Sequence, residues 1–242
     1  MSGHSHWATT HRQKEINAAK RGNLFSKLSR AISIAVKSGG VNIDANLKLR
    51  VAVDKARVAS MPKENIDRAI SRAVGGETLE EITYEGFGPN GIGVIVEAAT
   101  DNRNRTAQEI KNIFEKGGGS LAGPNSVAFN FENKGFLVVK KTANPDAAML
   151  AFIDAGAEDI EETSDSFVLY LPLDKLSEVK AKLSSQSFEI FSIELTLKPK
   201  NLIRILDVQS ASKILSFLAS FEEHDDVQKV YSNADIPESL FE

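Results

Sequence analysis

Within eleven positions near the start of the chain, His4, His6, Trp7, His11, Arg12 and Lys14 gather imidazoles, cations and the chain's one tryptophan. Cations and imidazoles of this kind contact phosphate oxygens, and an indole stacks on an unpaired base. The other reading is that Trp7 packs on neighbouring helices and the histidines are solvated. A zinc site needs three or four donors held rigidly. This segment has no cysteine and no apolar pattern that would hold one, so no metal is expected. A second cationic motif is Asp101-Asn102-Arg103-Asn104-Arg105-Thr106. It falls between a strand pattern and a helix pattern, where free backbone N–H groups favour an anion. Arg103 and Arg105 there read either as a phosphate or carboxylate seat or as surface arginines of an ordinary loop.

Catalytic chemistry finds little support. The chain has no cysteine, and beyond residue 11 its only histidine is His224, in an acidic stretch. No Ser-His-Asp arrangement can be inferred. Gly86-Phe87-Gly88-Pro89-Asn90-Gly91 fits the letter of a dinucleotide fingerprint, but that motif needs a helix to start at its glycines. Here a Pro-Asn-Gly turn leads into a strand pattern. With no Walker A sequence either, the expectation is a non-enzyme without a cofactor.

Charge separates the chain sharply. Residues 1–76 carry fourteen Lys and Arg against five Asp and Glu, a net of +9. The other residues carry fifteen against twenty-eight, a net of −13. Such asymmetry points to nucleic acid as the partner of the basic part; the alternative is a solvated basic bundle that pairs with the acidic remainder. No apolar run approaches the ~18 residues of a membrane span, and the first residues lack the apolar core of a secretory signal. A cytoplasmic protein with no membrane partner is expected.

These side chains need elements to position them. Asn23 reads as a helix cap, and Leu24, Phe25, Leu28, Ile32, Ala35 and Val36 recur at helical spacing up to Ser38-Gly39-Gly40. Lys27, Arg30 and Lys37 fall together, roughly opposite that stripe. Asp44 can cap a second helix, and Met61-Pro62 opens a third that stops at Gly75-Gly76. Residues 1–76 are thus a basic three-helix domain.

Two strands then flank Pro89-Asn90-Gly91. Thr106 to Glu109 reads as a capping box opening a helix that ends at Gly117. Another strand is predicted over Val127–Phe131. Residues 135–199 follow the order β-α-β-β-α-β, a ferredoxin-like unit. The last helix, Ser210–Phe221, and the last strand, Val227–Ser232, complete the pattern left open at Phe131. The reading is an α and α+β multidomain fold in which an N-terminal three-helix domain precedes two ferredoxin-like domains, one inserted into the other. Residues 77–134 plus 200–242 form the split domain, and 135–199 the inserted one.

Several motifs resemble the YebC/PmpR family. They include Gly3-His4-Ser5-x-Trp7-Ala8, Ala19-Lys20-Arg21-Gly22, Met61-Pro62-Lys63-x-Asn65-Ile66, Tyr84-Glu85-Gly86-x-Gly88-Pro89-x-Gly91, Thr100 to Thr106, and Val227-Gln228-x-Val230-Tyr231-x-Asn233. The likeness runs nearly end to end. Two departures occur: His6 stands where the family usually has Lys, and Ala8 to His11 is one residue short. The resemblance implies a three-domain DNA-binding transcriptional regulator. In relatives it also implies a ribosome-associated translation factor that contacts rRNA and relieves stalling at prolines. The candidate nucleic-acid-binding residues are His4, His6, Trp7, His11, Arg12, Lys14, Lys20, Arg21, Lys27, Arg30, Lys37, Lys63, Arg103 and Arg105.

Overall fold

An apolar stripe at helical spacing buries itself best against other helices, and the first elements do this. The structure is a computed structural model that describes residues 18–76, 79–237 and 240, without the side chains of residues 18–21 and 23. Helix α1 spans Ala18–Gly39, α2 Leu47–Val58 and α3 Lys63–Val74. Leu28, Ile32, Ala35 and Val36 pack with Leu49, Val53, Ala56, Ile66 and Ala69 in one core. Two expected starts are corrected. Helix α1 runs through Asn23 from Ala18, because its apolar periodicity and the good helix formers Ala18, Ala19 and Lys20 extend it. The cap of α2 is Asn46, not Asp44: its side chain accepts from Leu49 N–H at 3.1 Å. The same amide donates to Ala35 and Gly40 carbonyls at 2.7 and 2.8 Å. It thereby closes the end of α1, and a Cβ at Gly39 would come within 2.7 Å of it.

The acidic remainder begins with the hairpin of β1 (Glu80–Phe87) and β2 (Gly93–Thr100), in register from Glu80↔Thr100 to Phe87↔Gly93. Asn90 and Gly91 turn it with positive φ of 60° and 74°. Helix α4 (Arg103–Lys116) and β3 (Ser120–Ala122) follow, and much later α7 (Val208–Glu222) and β9 (Val227–Ser232). The sheet order is β3-β1-β2-β9. Phe114 of α4 meets Phe217 and Phe221 of α7 edge-on, with centroids 5.7 and 4.8 Å apart. Each such pair is worth about 0.5–1.5 kcal/mol beyond its burial.

Two further expectations are corrected here. The strand predicted at Val127–Phe131 is a 3-10 turn at Ala128–Asn130, and the sheet takes Ser120–Ala122 instead. Buried Glu85 explains the turn: its carboxylate accepts Asn125, Val127 and Ala128 N–H at 2.7–2.8 Å, which bends the backbone away from a ladder. The capping box at Thr106 is also replaced. Helix α4 starts at Arg103 under an Asn102 cap that accepts from Arg105 N–H. That leaves Thr106 inside the helix, fully buried.

Between these parts lie β4 (Phe131–Lys140), α5 (Pro145–Ala155), β5 (Asp159–Glu162), β6 (Ser166–Leu171), α6 (Leu176–Ser185) and β7 (Ile190–Pro199). Their sheet order, β5-β6-β4-β7, is that of the ferredoxin-like unit. The first sheet has the same spatial layout but another chain order: the inner strand beside edge β3 is β1, the first in the chain, whereas the inner strand beside edge β5 is β6, which follows it. A short parallel pair, β8 (Ile203–Arg204) with β10 (Ala234–Asp235), completes the set. The described chain forms two compact units: residues 132–198 in one, the helices and the split sheet together in the other. Among the described residues no helix is long and apolar enough to cross a membrane.

Candidate nucleic-acid interface

Lys27, Arg30 and Lys37 do share one face of α1, at the spacing the sequence predicts. That face lies against the split α+β segment. Lys27 Nζ donates to the Glu222 carbonyl at 2.5 Å, and Lys37 Nζ to the Leu79 carbonyl at 3.0 Å. The Arg30 guanidinium binds the Asp225 carbonyl and reaches Asp226 Oδ1 at 2.9 Å. Ile34, on the same face, is buried although it is outside the helical core. Burial lowers the Lys27 pKa, and the neighbouring carboxylates of Glu222 and Asp225 only partly offset it. In this conformation these cations face the protein's own acceptors.

Arg105 is committed as well. Its guanidinium lies 2.9 Å from Asp226 Oδ2 and 3.0 Å from Asp101 Oδ1. The anion seat predicted at this loop is therefore filled by the chain's own carboxylates. The hydrogen bond and charge of Asp226 raise the Arg105 pKa. Arg103 is exposed. It lies close enough to Tyr84 for its charge to oppose the upward push of burial on that phenol.

Asp226 is the hub that sequence reasoning missed. It is 3% exposed. Besides the two arginines it accepts the Thr106 hydroxyl at 2.6 Å, and Thr106 Oγ lies 2.8 Å from Thr100 Oγ. Burial pushes the Asp226 carboxyl up, but Thr106, Arg105 and Arg30 outweigh that and hold it below the usual range. Asp226 N–H donates to His224 Nδ1 at 3.1 Å. The neutral ring then carries its proton on Nε2, which faces Glu109 Oε2 at 2.9 Å. Arg30, Arg105, Glu109, Lys116, His224 and Asp226 line a cleft of about 660 Å³. One ligand atom each from Glu109, His224 and Asp226 lies within 4.8 Å of the others. The trio makes a poor cation site, because both Asp226 oxygens are already paired and Arg105 sets its own charge among the carboxylates. The acidic run around His224 was the one signal in the sequence.

Of the other candidates, Lys63 opens α3 and is exposed. Lys20 and Arg21 lie in the first turns of α1, with side chains outside the described residues. His4, His6, Trp7, His11, Arg12 and Lys14 lie outside the described residues altogether. The helical segment also exposes cations that the sequence did not single out. Arg57 pairs with Asp54 of its own helix, at 3.6 Å. Arg68 approaches Asn65 at 3.5 Å, and Arg72 is exposed on α3.

Known proteins of similar sequence and structure cover nearly the whole chain. Residues 5–76 match the TACO1/YebC protein N-terminal domain, and residues 79–234 the TACO1/YebC second and third domain. A Dictyoglomus thermophilum protein named "probable transcriptional regulatory protein" is 44% identical over 247 residues, covering all of this chain and 99% of the relative. A Thermotoga maritima protein of the same name is 43% identical, covering all of this chain and 97% of the relative. The crystal structure of a conserved hypothetical protein from Aquifex aeolicus superimposes with a TM-score of 0.86 at 40% identity, covering 95% of this chain and 97% of that one. With both domain models matched and near-complete relatives above 40% identity, the chain belongs to the TACO1/YebC family.

Proposed function

We propose that this chain is a non-enzymatic regulator of gene expression that binds nucleic acid through residues 1–76, with DNA as its target. The observation that carries the reading is the charge split, +9 in residues 1–76 against −13 in the remainder. Phosphate attraction is confined to one end, and the acidic end repels nucleic acid. The relatives' name, transcriptional regulatory protein, favours the same role. The contact set is Arg12, Lys14, Lys20, Arg21 and Lys63, joined by the exposed Arg57, Arg68 and Arg72.

Phosphate neutralisation releases counterions, so log K falls with log salt by about 0.9 per contact on duplex. With roughly four contacts the slope is about −3 to −4. Replacing Lys63, Arg68 and Arg72 together by Glu weakens binding to unrelated sequences alike and flattens the slope. Unchanged affinity and slope in that variant would remove α3 from the interface.

A second reading, an rRNA-binding translation factor at the ribosome, is favoured by Trp7 among cations. Stacking on an unpaired base suits looped RNA. Crosslinking in growing cells, followed by sequencing of the bound nucleic acid, separates the two. Promoter DNA supports the first reading and rRNA the second. An empty library counts against both.

A further inference from the structure

Lys27 and Arg30 are held by a main-chain carbonyl at the end of α7, the carbonyl of Asp225 and the Asp226 carboxylate. The C-terminal end of a helix carries partial negative charge. This cluster therefore offers α1 closely spaced oxygen acceptors, one of them an anionic carboxylate, as a phosphodiester does. We propose that the connector Glu222–Asp226 is a built-in competitor for nucleic-acid phosphates, and that the helical segment swings off the split sheet before Lys27 and Arg30 reach a nucleic-acid backbone. The inference rests on the nucleic-acid reading above and adds its regulation.

Each half remains satisfied when the two part. Asp226 keeps Arg105 and Thr106, both from its own side of the interface. The helical core is drawn wholly from residues before Gly75. Other polar ties across the contact include Lys37 to the Leu79 carbonyl and an exposed 3.5 Å pair between Lys48 and Glu81. Ile34 is an apolar side chain of the Lys27–Lys37 face that opening exposes. Gly76, where the helices end, has φ of +89° and nothing within 4 Å of the place its Cβ would take. It can change conformation without a steric cost. Interfaces of this polar kind between parts of one chain open readily.

The absence of cysteine lets two labels be placed cleanly on the full chain. Ser71→Cys on α3 and Ser212→Cys on α7 are both exposed positions. Energy transfer between the labels is followed while a short duplex DNA, or an RNA hairpin, is added at low salt. The expected result is a fall in transfer on binding, reversed by salt. Asp226→Asn removes a competitor charge without touching α1 and should tighten binding by roughly three- to fivefold, the range of a partly exposed ion pair. Glu81→Gln, which loosens only the exposed tie, should act in the same direction and less. Binding with unchanged transfer, and with Asp226→Asn no tighter than the parent, overturns the competition. If neither the parent nor Asp226→Asn binds either probe, the nucleic-acid reading fails first and the competition goes with it.

Discussion

The Thr106 hydroxyl and the Asp226 carboxylate meet at 2.6 Å across 120 residues of sequence. The contact joins the first turns of α4 to the connector before β9. Because it is buried and charge-assisted, it is a strong type of hydrogen bond, and it orients a carboxylate that Arg30 and Arg105 share.

Thr106→Val keeps the shape and removes the hydroxyl. With Thr106 fully buried, the carboxylate loses a donor that water cannot replace. The expected cost is about 1–3 kcal/mol, read from chemical denaturation. A change below about 0.5 kcal/mol would mean that Arg30 and Arg105 suffice alone.

Acid should unfold this protein partly through two carboxylates. Burial raises Glu85, but N–H donors from Val127, Ala128 and Asn125 outweigh it and hold the carboxyl low. Asp226 is held low by Thr106 and the two arginines against its own burial. A depressed folded pKa contributes stability that is fully present above the unfolded value of about 4 and is lost as pH falls through the lower folded value. The melting temperature should therefore be level near neutrality and fall in acid. Glu85→Gln and Asp226→Asn should lower the plateau and flatten the acid slope. Parallel curves for parent and variants would refute the assignment.

Ile34 tests the contact face of α1 apart from the helical core. Ile34→Ala is expected to cost about 2 kcal/mol, the low end for such truncations. Amide exchange should quicken in β9 and the Glu222–Asp226 connector while Ile32 and Ala35 stay protected. Uniform loss of protection through α1 would place Ile34 in the helical core instead.

Local chemistry was enough for much of this architecture. The apolar spacing of Leu28, Ile32 and Val36 set a helix, since such a stripe has one way to bury itself. Pro145 and Gly156 bounded α5, and the βαββαβ order of residues 135–199 was legible because each element has its own period and its own stops. The +9 of residues 1–76 could be counted directly. What was not legible depends on partners distant in the chain. Thr106 and Glu109 have the letters of a capping box, yet Thr106 serves Asp226 and Glu109 serves His224. The Val127–Phe131 run has strand composition, but a carboxylate forty residues earlier, Glu85, takes its N–H groups. Lys27, Arg30 and Lys37 lie on one face by helical geometry alone, a fact of 3.6 residues per turn. Whether that face meets solvent or the end of another helix is decided by tertiary packing, because a cation's partner is fixed by distance in space and not by its neighbours in sequence.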